Sequence, residues 1–259
     1  MIPKYPQVEL PVKKKIDDLN DRWFAHIKDF DMGLSSLYAR DGFYPYYTLQ
    51  RLKILFIGRE CLGLSGCDYI NELYAAIKLG KVGGKSLDNY KFHALMLRIA
   101  YGLQHDFPDY QDIPTPTELS KSFATSEGVS YAFMNLSKLS NESGIWKSDK
   151  VLIDKFLSNS IMPQENYFAR EIEILNPDLI ISMNLNENEK IDRHRFIGNL
   201  KCPTFFGNNG QICAQKLVTQ YGEYDFIDSF HFSAPNKKCE EDYYLPIVAA
   251  VKDILAKKS

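Results

Sequence analysis

The 259-residue sequence contains no long apolar run and carries a formal net charge of only −2 at pH 7. A helix that crosses a membrane needs about 20 mostly apolar residues, so no such helix is predicted. The near-neutral charge excludes an overall basic field, and nucleic-acid binding would need a local basic patch. The first residues also lack the apolar centre of a secretory signal. We therefore expect a cytoplasmic protein without a membrane partner.

Cysteine is scarce, and its spacing does not favour a metal site. The cysteines lack the C-x-x-C pairs that are typical of zinc ribbons and iron–sulfur sites. Their odd number also argues against a complete set of disulfides. The five are Cys61, Cys67, Cys202, Cys213 and Cys239. We expect reduced thiols, and neither a metal nor another cofactor.

Short apolar runs alternate with amphipathic segments along the chain. The predicted strands are Lys53–Ile57, Ser130–Asn135, Leu179–Met183, Cys202–Phe206 and Tyr224–Ser229. Strands buried on both faces read as continuous apolar runs, and alternation with helices indicates a parallel sheet covered by helices on both faces. We expect one α/β domain over residues 1–259, with an N-terminal helical extension over about residues 1–50.

The stretch Lys53–Gly66 leads from the first of these strands into a glycine-containing turn, K-I-L-F-I-G-R-E-C-L-G-L-S-G. A phosphate-binding P-loop needs a lysine where Leu64 stands, although Gly58 and Gly63 have the required spacing. A dinucleotide-binding loop needs a second glycine where Glu60 stands. The remaining interpretation is a turn that places a carboxylate and backbone N–H groups beside a small ligand.

Two other predicted strands end in chemically useful side chains. Asn135 ends one strand, and His231 follows the end of another. Because the carboxyl ends of parallel strands lie at the same edge of a sheet, Glu60, Asn135 and His231 are predicted to converge there.

These three strand ends together resemble the motifs of the uracil-DNA glycosylase superfamily. The chain has G-R-E-C-L-G, Y-A-F-M-N-L-S-K and H-F-S-A-P in the family's order. Its segment E-I-E-I-L-N-P-D-L-I-I-S-M-N is similar to the family's helix–strand segment, so the resemblance covers about residues 50–257. The fold it implies is a three-layer α/β/α sandwich with a central, mostly parallel four-stranded sheet.

The resemblance implies a role for each strand-end residue in removing uracil, or a related damaged base, from DNA after base flipping. Asn135 would pair with uracil, because an amide both donates and accepts hydrogen bonds. Glu60 would position water and stabilise the positive charge that develops on the sugar. His231 would donate a hydrogen bond to the departing base. No metal or cofactor is implied.

The resemblance also implies supporting contacts. Gly58, Cys61, Leu62 and Ser233 belong to the predicted substrate-binding loops, with Tyr69 or Tyr74 stacking on the base. DNA phosphates are expected to contact Lys85, Lys138, Lys237 and Lys238. Cys61 and Phe232 replace prolines of the family motifs, and Leu62 stands where some members have tyrosine and others glycine. The protein is expected to act on DNA as a monomer.

The sequence leaves three alternatives open. The chain could be a catalytically inactive member of the same fold that binds DNA, a nucleotide or a protein. Cys61 at a strand-to-helix turn, with His231 as base, would suit a cysteine hydrolase. Glu60 could also be an ordinary loop acid beside a helix N-terminus.

Overall fold

The computed structural model describes residues 1–145, 147–162, 165–185, 192–208, 210 and 212–258. The strands are β1 (Gly42–Phe43), β2 (Ile54–Gly58), β3 (Lys81–Val82), β4 (Lys85–Ser86), β5 (Ala132–Asn135), β6 (Leu179–Met183), β7 (Asn199–Phe206), β8 (Ile212–Thr219) and β9 (Gly222–Ser229). The α-helices are α1 (Leu10–Phe30), α2 (Met32–Ser35), α3 (Tyr69–Lys78), α4 (Lys91–Gln104), α5 (Pro116–Ser122), α6 (Lys150–Ser158), α7 (Tyr167–Leu175) and α8 (Leu245–Ala256).

The central sheet has seven strands in the order β1-β5-β2-β6-β9-β8-β7. The four middle strands, β5, β2, β6 and β9, run parallel to one another. β1 and β8 are antiparallel to their neighbours, and β7 reverses direction again beside β8. Five of the seven strands therefore share one direction, and the predicted count of four holds only for the parallel centre. β3 and β4 form a separate hairpin.

Helices pack on both faces of the sheet, as the apolar runs predicted. Successive residues of β2 alternate between the two faces: Ile54 and Phe56 belong to one buried cluster, Leu55 and Ile57 to the other. Helices α3, α4, α5 and α8 supply the first cluster, and α1, α6 and α7 supply the second. Each parallel strand is consequently covered on both sides.

The predicted N-terminal extension contributes directly to the second cluster. Trp23 of α1 is fully buried, and its ring stacks on Phe156 of α6 and Tyr167 of α7. β1 joins the sheet beside β5. No helix in the described ranges is both long and apolar enough to cross a membrane.

Glu9 ties the start of the chain to the segment before β2. Its buried carboxylate accepts hydrogen bonds from the backbone N–H of Tyr46 and of Thr48, both over 2.7 Å. The hydroxyl of Thr48 donates a third at 2.9 Å. These bonds give a buried charge the partners that it requires.

Glu9→Ala is expected to lower the free energy of unfolding by about 2–3 kcal/mol, because two half-buried N–H donors lose a charged acceptor. Urea denaturation measures the change. Glu127 is exposed, so Glu127→Ala serves as the control and should change stability by less than about 0.5 kcal/mol. Equal effects of the two substitutions would contradict this role for Glu9.

The connections between the strands show where the order of the sheet reverses. From β2 the chain passes through α3, α4 and α5 to β5 on one side of β2. From β5 it returns through α6 and α7 to β6 on the other side. The strand order reverses between β2 and β6, and ligands of open α/β sheets bind at the carboxyl ends of strands at such a point.

Candidate functional site

The carboxyl ends of β5, β2, β6 and β9 are aligned and form what we term the carboxyl edge. Gly58 pairs with Asn135, and Met183 pairs with Ser229. Glu60, Asn135 and His231 therefore all lie at this edge. At about 4.8 Å per strand, the ends of β5 and β9 are roughly 14 Å apart, so a further side chain has to bridge Asn135 and His231.

Phe92, in the first turn of α4, bridges these two strand ends. Its ring stacks on His231 with a centroid distance of 5.4 Å and contacts the ring of Phe133 at 6.2 Å. Phe133 lies two residues before Asn135 and thus on the same face of β5. Phe92 is half-buried. Sequence reasoning missed this residue, since nothing local links an aromatic residue of a helix start to two distant strands.

His231 is held as a neutral ring with a defined tautomer. Its Nδ1 accepts hydrogen bonds from the hydroxyl of Ser233 at 2.7 Å and from the backbone N–H of Ser233 at 3.3 Å. Because a backbone N–H can only donate, the neutral ring carries its proton on Nε2. Burial, together with the positive charge of Arg59, lowers the pKa of His231 to about 4. Nε2–H is therefore a hydrogen-bond donor at neutral pH.

NMR of the histidine side-chain nitrogens is expected to show no titration of His231 between pH 5 and 8, with the proton on Nε2. The pKa of about 4 lies below the usual value of 6.5, so the unfolded chain takes up this proton more readily than the folded protein. Stability contributed by His231 should hence be lost as the pH falls from 6.5 through 4. Titration near pH 6.5 would contradict the assignment.

Asn135 is buried at the end of β5, and its backbone N–H donates to Oδ2 of Asp41 over 2.6 Å. Its side-chain amide forms no hydrogen bond with any residue in the described ranges. The neighbouring Gly58 permits close packing here. A Cβ on Gly58 would lie 2.9 Å from Cζ of Phe133 and 3.4 Å from Oδ1 of Asn135. The amide of Asn135 is thus packed against the edge with hydrogen-bonding capacity to spare.

Glu60 turns one carboxylate oxygen toward the start of α6. Its Oε1 accepts hydrogen bonds from Nδ2 of Asn141 at 3.1 Å and from the backbone N–H of Asp149 at 2.9 Å. Its Oε2 is buried and has no partner among the described residues. Burial raises the pKa of Glu60, and this effect outweighs the two hydrogen bonds, which lower the pKa. Glu60 therefore orders the loop before α6 through Oε1 and keeps Oε2 unpaired.

Arg59 lies across the point where the strand order reverses. Its Nε donates to the carbonyl of Asn184, just after β6, over 2.9 Å. Burial lowers its pKa to about 10, so it remains a cation at neutral pH. Its charge acts on both Glu60 and His231. We did not predict Arg59, although its place next to Glu60 after β2 was a usable signal.

Cys61 does not have the properties of a catalytic nucleophile. It is buried, and burial raises the pKa of its thiol to about 12. The reactive thiolate is disfavoured at neutral pH, which argues against the cysteine-hydrolase alternative. Leu62 instead lines a cavity of about 420 Å³ together with Gly63, Asn141, Glu142 and Gly144.

The structure argues against one of the two tyrosines predicted to stack on the base, Tyr69. Tyr69 is buried, and its ring already stacks on Phe133 at 4.8 Å. With only 6% of its surface exposed, its ring is part of the core and is not presented to a ligand. Tyr74 is partly buried against the first core cluster. Phe92 is better placed than either tyrosine to meet a ligand at the carboxyl edge.

The lysines predicted to contact DNA phosphates differ in their exposure and in their existing partners. Lys138 is completely buried between Asp41 and Glu171, so its predicted contact with DNA phosphate is wrong. Lys237 lies over the ring of Phe230, with Nζ 4.0 Å from its centre, and Lys238 pairs with Glu241 at 2.9 Å.

Lys85 is exposed on the β3–β4 hairpin and is therefore available for the predicted phosphate contact. It has no ion pair with another described residue.

No group of three or more His, Cys, Asp or Glu side chains in the described part of the chain is arranged to hold a metal ion. Comparison of the chain with protein-family models, with curated proteins and with solved structures finds no match. The relationship to the uracil-DNA glycosylase superfamily therefore remains a prediction from the motifs.

Proposed function

We propose that the protein is a DNA glycosylase that hydrolyses the N-glycosidic bond of uracil, or of a related damaged base, after flipping it out of DNA. The observation that carries the proposal is that the ring of Phe92 contacts both His231 and Phe133, which lies two residues before Asn135, at the carboxyl edge. The proposal includes the three-layer sandwich that the resemblance implies.

Each of these three side chains matches one feature of a flipped uracil. The unpaired amide of Asn135 offers a donor and an acceptor to the adjacent O4 and N3–H of uracil, and cytosine presents the opposite pattern. The ring of Phe92 provides a stacking surface. Nε2–H of His231 donates to O2, where negative charge accumulates as the bond breaks. A neutral donor suits this role because it needs no proton from solvent.

Glu60 supplies the carboxylate in this mechanism. Its Oε2 is buried and unpaired, and in this mechanism it accepts a proton from the attacking water and stabilises positive charge on the sugar. Its Oε1 keeps the carboxylate in place through Asn141 and Asp149. Burial raises the pKa of Glu60, and the charge of Arg59 opposes this rise in favour of the ionised form that this role requires.

The proposed partner is DNA, bound by a monomer in the cytoplasm. Lys85 is the most exposed and least engaged of the predicted lysines, since Lys238 is paired with an acid, and it is proposed to contact a phosphate. All five cysteines are free thiols, which supports a reducing compartment.

A second candidate is a protein that binds a base or nucleotide without cleaving it. Glu60 favours it, because one oxygen of its carboxylate is engaged in holding the loop before α6. A structural acid in this position leaves recognition by Asn135 and His231 intact.

Incubation with uracil-containing single- and double-stranded oligonucleotides, followed by alkali, distinguishes the two candidates. A glycosylase leaves abasic sites that alkali cleaves, and Glu60→Gln should reduce this cleavage. Absence of cleavage for uracil and for a panel of damaged bases would exclude the glycosylase. Binding of the same oligonucleotides without cleavage would then favour the second candidate.

A further inference from the structure

The side chain of Asp41 accepts a backbone hydrogen bond at the outer edge of β5, beside Asn135. β1 pairs with β5 only at Ala132 and Phe133. Beyond that point no strand accepts the N–H of Asn135, and Oδ2 of Asp41 does so at 2.6 Å. Asp41 immediately precedes β1 and is only 5% exposed. A buried carboxylate thus replaces the strand partner that Asn135 lacks.

Lys138 engages the other oxygen of this carboxylate. Its Nζ donates to Oδ1 of Asp41 and, over 2.7 Å, to Oε2 of Glu171. It also lies 5.1 Å from the ring centre of Trp23, and its carbonyl accepts the N–H of Ala39 at 2.7 Å. Burial opposes the charge of Lys138, but the two carboxylates outweigh it and raise its pKa. A permanent cation therefore occupies one oxygen of Asp41 and leaves the other for Asn135.

We propose that Asp41 is a positioning residue for Asn135 and that Lys138, by engaging one oxygen at position 41, makes a carboxylate with a second oxygen necessary there. The inference rests on the proposed role of Asn135 in reading the base. The contact fixes the backbone at the end of β5, so the amide stays on the face shared with Phe133. That face leads to Phe92 and His231.

Asp41→Asn, Lys138→Met and the double variant are predicted to differ in whether the N–H of Asn135 keeps an acceptor. In Asp41→Asn the cation of Lys138 takes the single amide oxygen, and the NH₂ group then faces the N–H of Asn135, donor against donor. In Lys138→Met the carboxylate still accepts that N–H. In the double variant no cation competes, and the amide oxygen can turn to Asn135.

Two measurements are made on each variant: affinity for uracil as free base, and the NMR shift and hydrogen exchange of the Asn135 backbone amide. Asp41→Asn should weaken uracil binding about tenfold or more and expose the amide to exchange. Lys138→Met and the double variant should bind within about threefold of the wild type, because both retain the acceptor. Should Lys138→Met fail to fold, Asp41→Asn and the double variant still provide the comparison. Glu9→Gln alters a buried carboxylate that holds Tyr46 and Thr48, and should leave both measurements unchanged.

An unchanged Asn135 amide in Asp41→Asn would overturn the inference. Uracil binding that falls in proportion to lost stability across all variants would also overturn it, since a purely structural role predicts that pattern. If the wild type does not bind uracil, the proposed function fails. The amide measurements then decide separately whether Asp41 positions Asn135.

Discussion

Lys138→Met is expected to lower the free energy of unfolding by about 3–5 kcal/mol, the usual cost of removing one partner from a buried ion pair. Lys138 is the cation between two buried carboxylates, and its side chain is 0% exposed. Methionine fills similar volume but leaves the charge of Asp41 without compensation. Burial raises the pKa of Glu171, and the charge of Lys138 opposes this rise. Removal of Lys138 therefore leaves two buried acids without their cation.

Urea denaturation at pH 7 measures this effect against two controls. Lys85→Met removes an exposed lysine and should change stability by less than about 0.5 kcal/mol. The double variant Asp41→Asn/Lys138→Met removes the uncompensated charge and should recover most of the loss. A loss below about 1 kcal/mol for Lys138→Met, less than the cost expected for breaking a buried ion pair, would show that the cluster does not depend on its cation.

His231→Ala is expected to reduce the single-turnover rate of base release by about 10²–10³-fold, the usual effect of removing one donor to a developing oxyanion. Binding of the uracil oligonucleotide should change far less, because this hydrogen bond strengthens only as negative charge builds on the base. Quenched-flow cleavage assays with enzyme in excess separate the chemical step from product release.

The matched control for His231→Ala is His105→Ala. His105 is an exposed histidine just after α4, whereas His231 contacts Phe92 at the start of that helix. Its replacement should leave the rate within about twofold, since surface substitutions rarely have large effects. Equal losses in the two variants, or an unchanged rate in His231→Ala, would remove His231 from the reaction.

The parallel centre of the fold could be predicted because its signals are local. Leu179–Met183 is a continuous apolar run after a helix that ends at Leu175, and the structure has a strand over the same residues. β8 was missed because Gln215 and Lys216 interrupt its apolar pattern. It is held instead by antiparallel pairing with β7 and β9, which no single segment encodes.

At the site, strand-end positions could be predicted and contacts could not. Asn135 and His231 follow from the rule that parallel strands end at one edge. Lys138 was assigned to the surface, where most lysines lie. Its burial depends on Asp41 and Glu171, which are 97 and 33 residues away along the chain. Phe92 likewise gains its place only through tertiary contact.

The most direct measurement tests whether Asn135 and His231 bind a base at the carboxyl edge. Uracil and cytosine are added separately to isotope-labelled protein. NMR follows the side-chain amide of Asn135 and the Nε2–H of His231. We predict that uracil shifts both signals and that cytosine shifts neither, because its donor and acceptor at the edge facing Asn135 are reversed. If uracil leaves both signals unchanged, these two residues do not form a base-binding site.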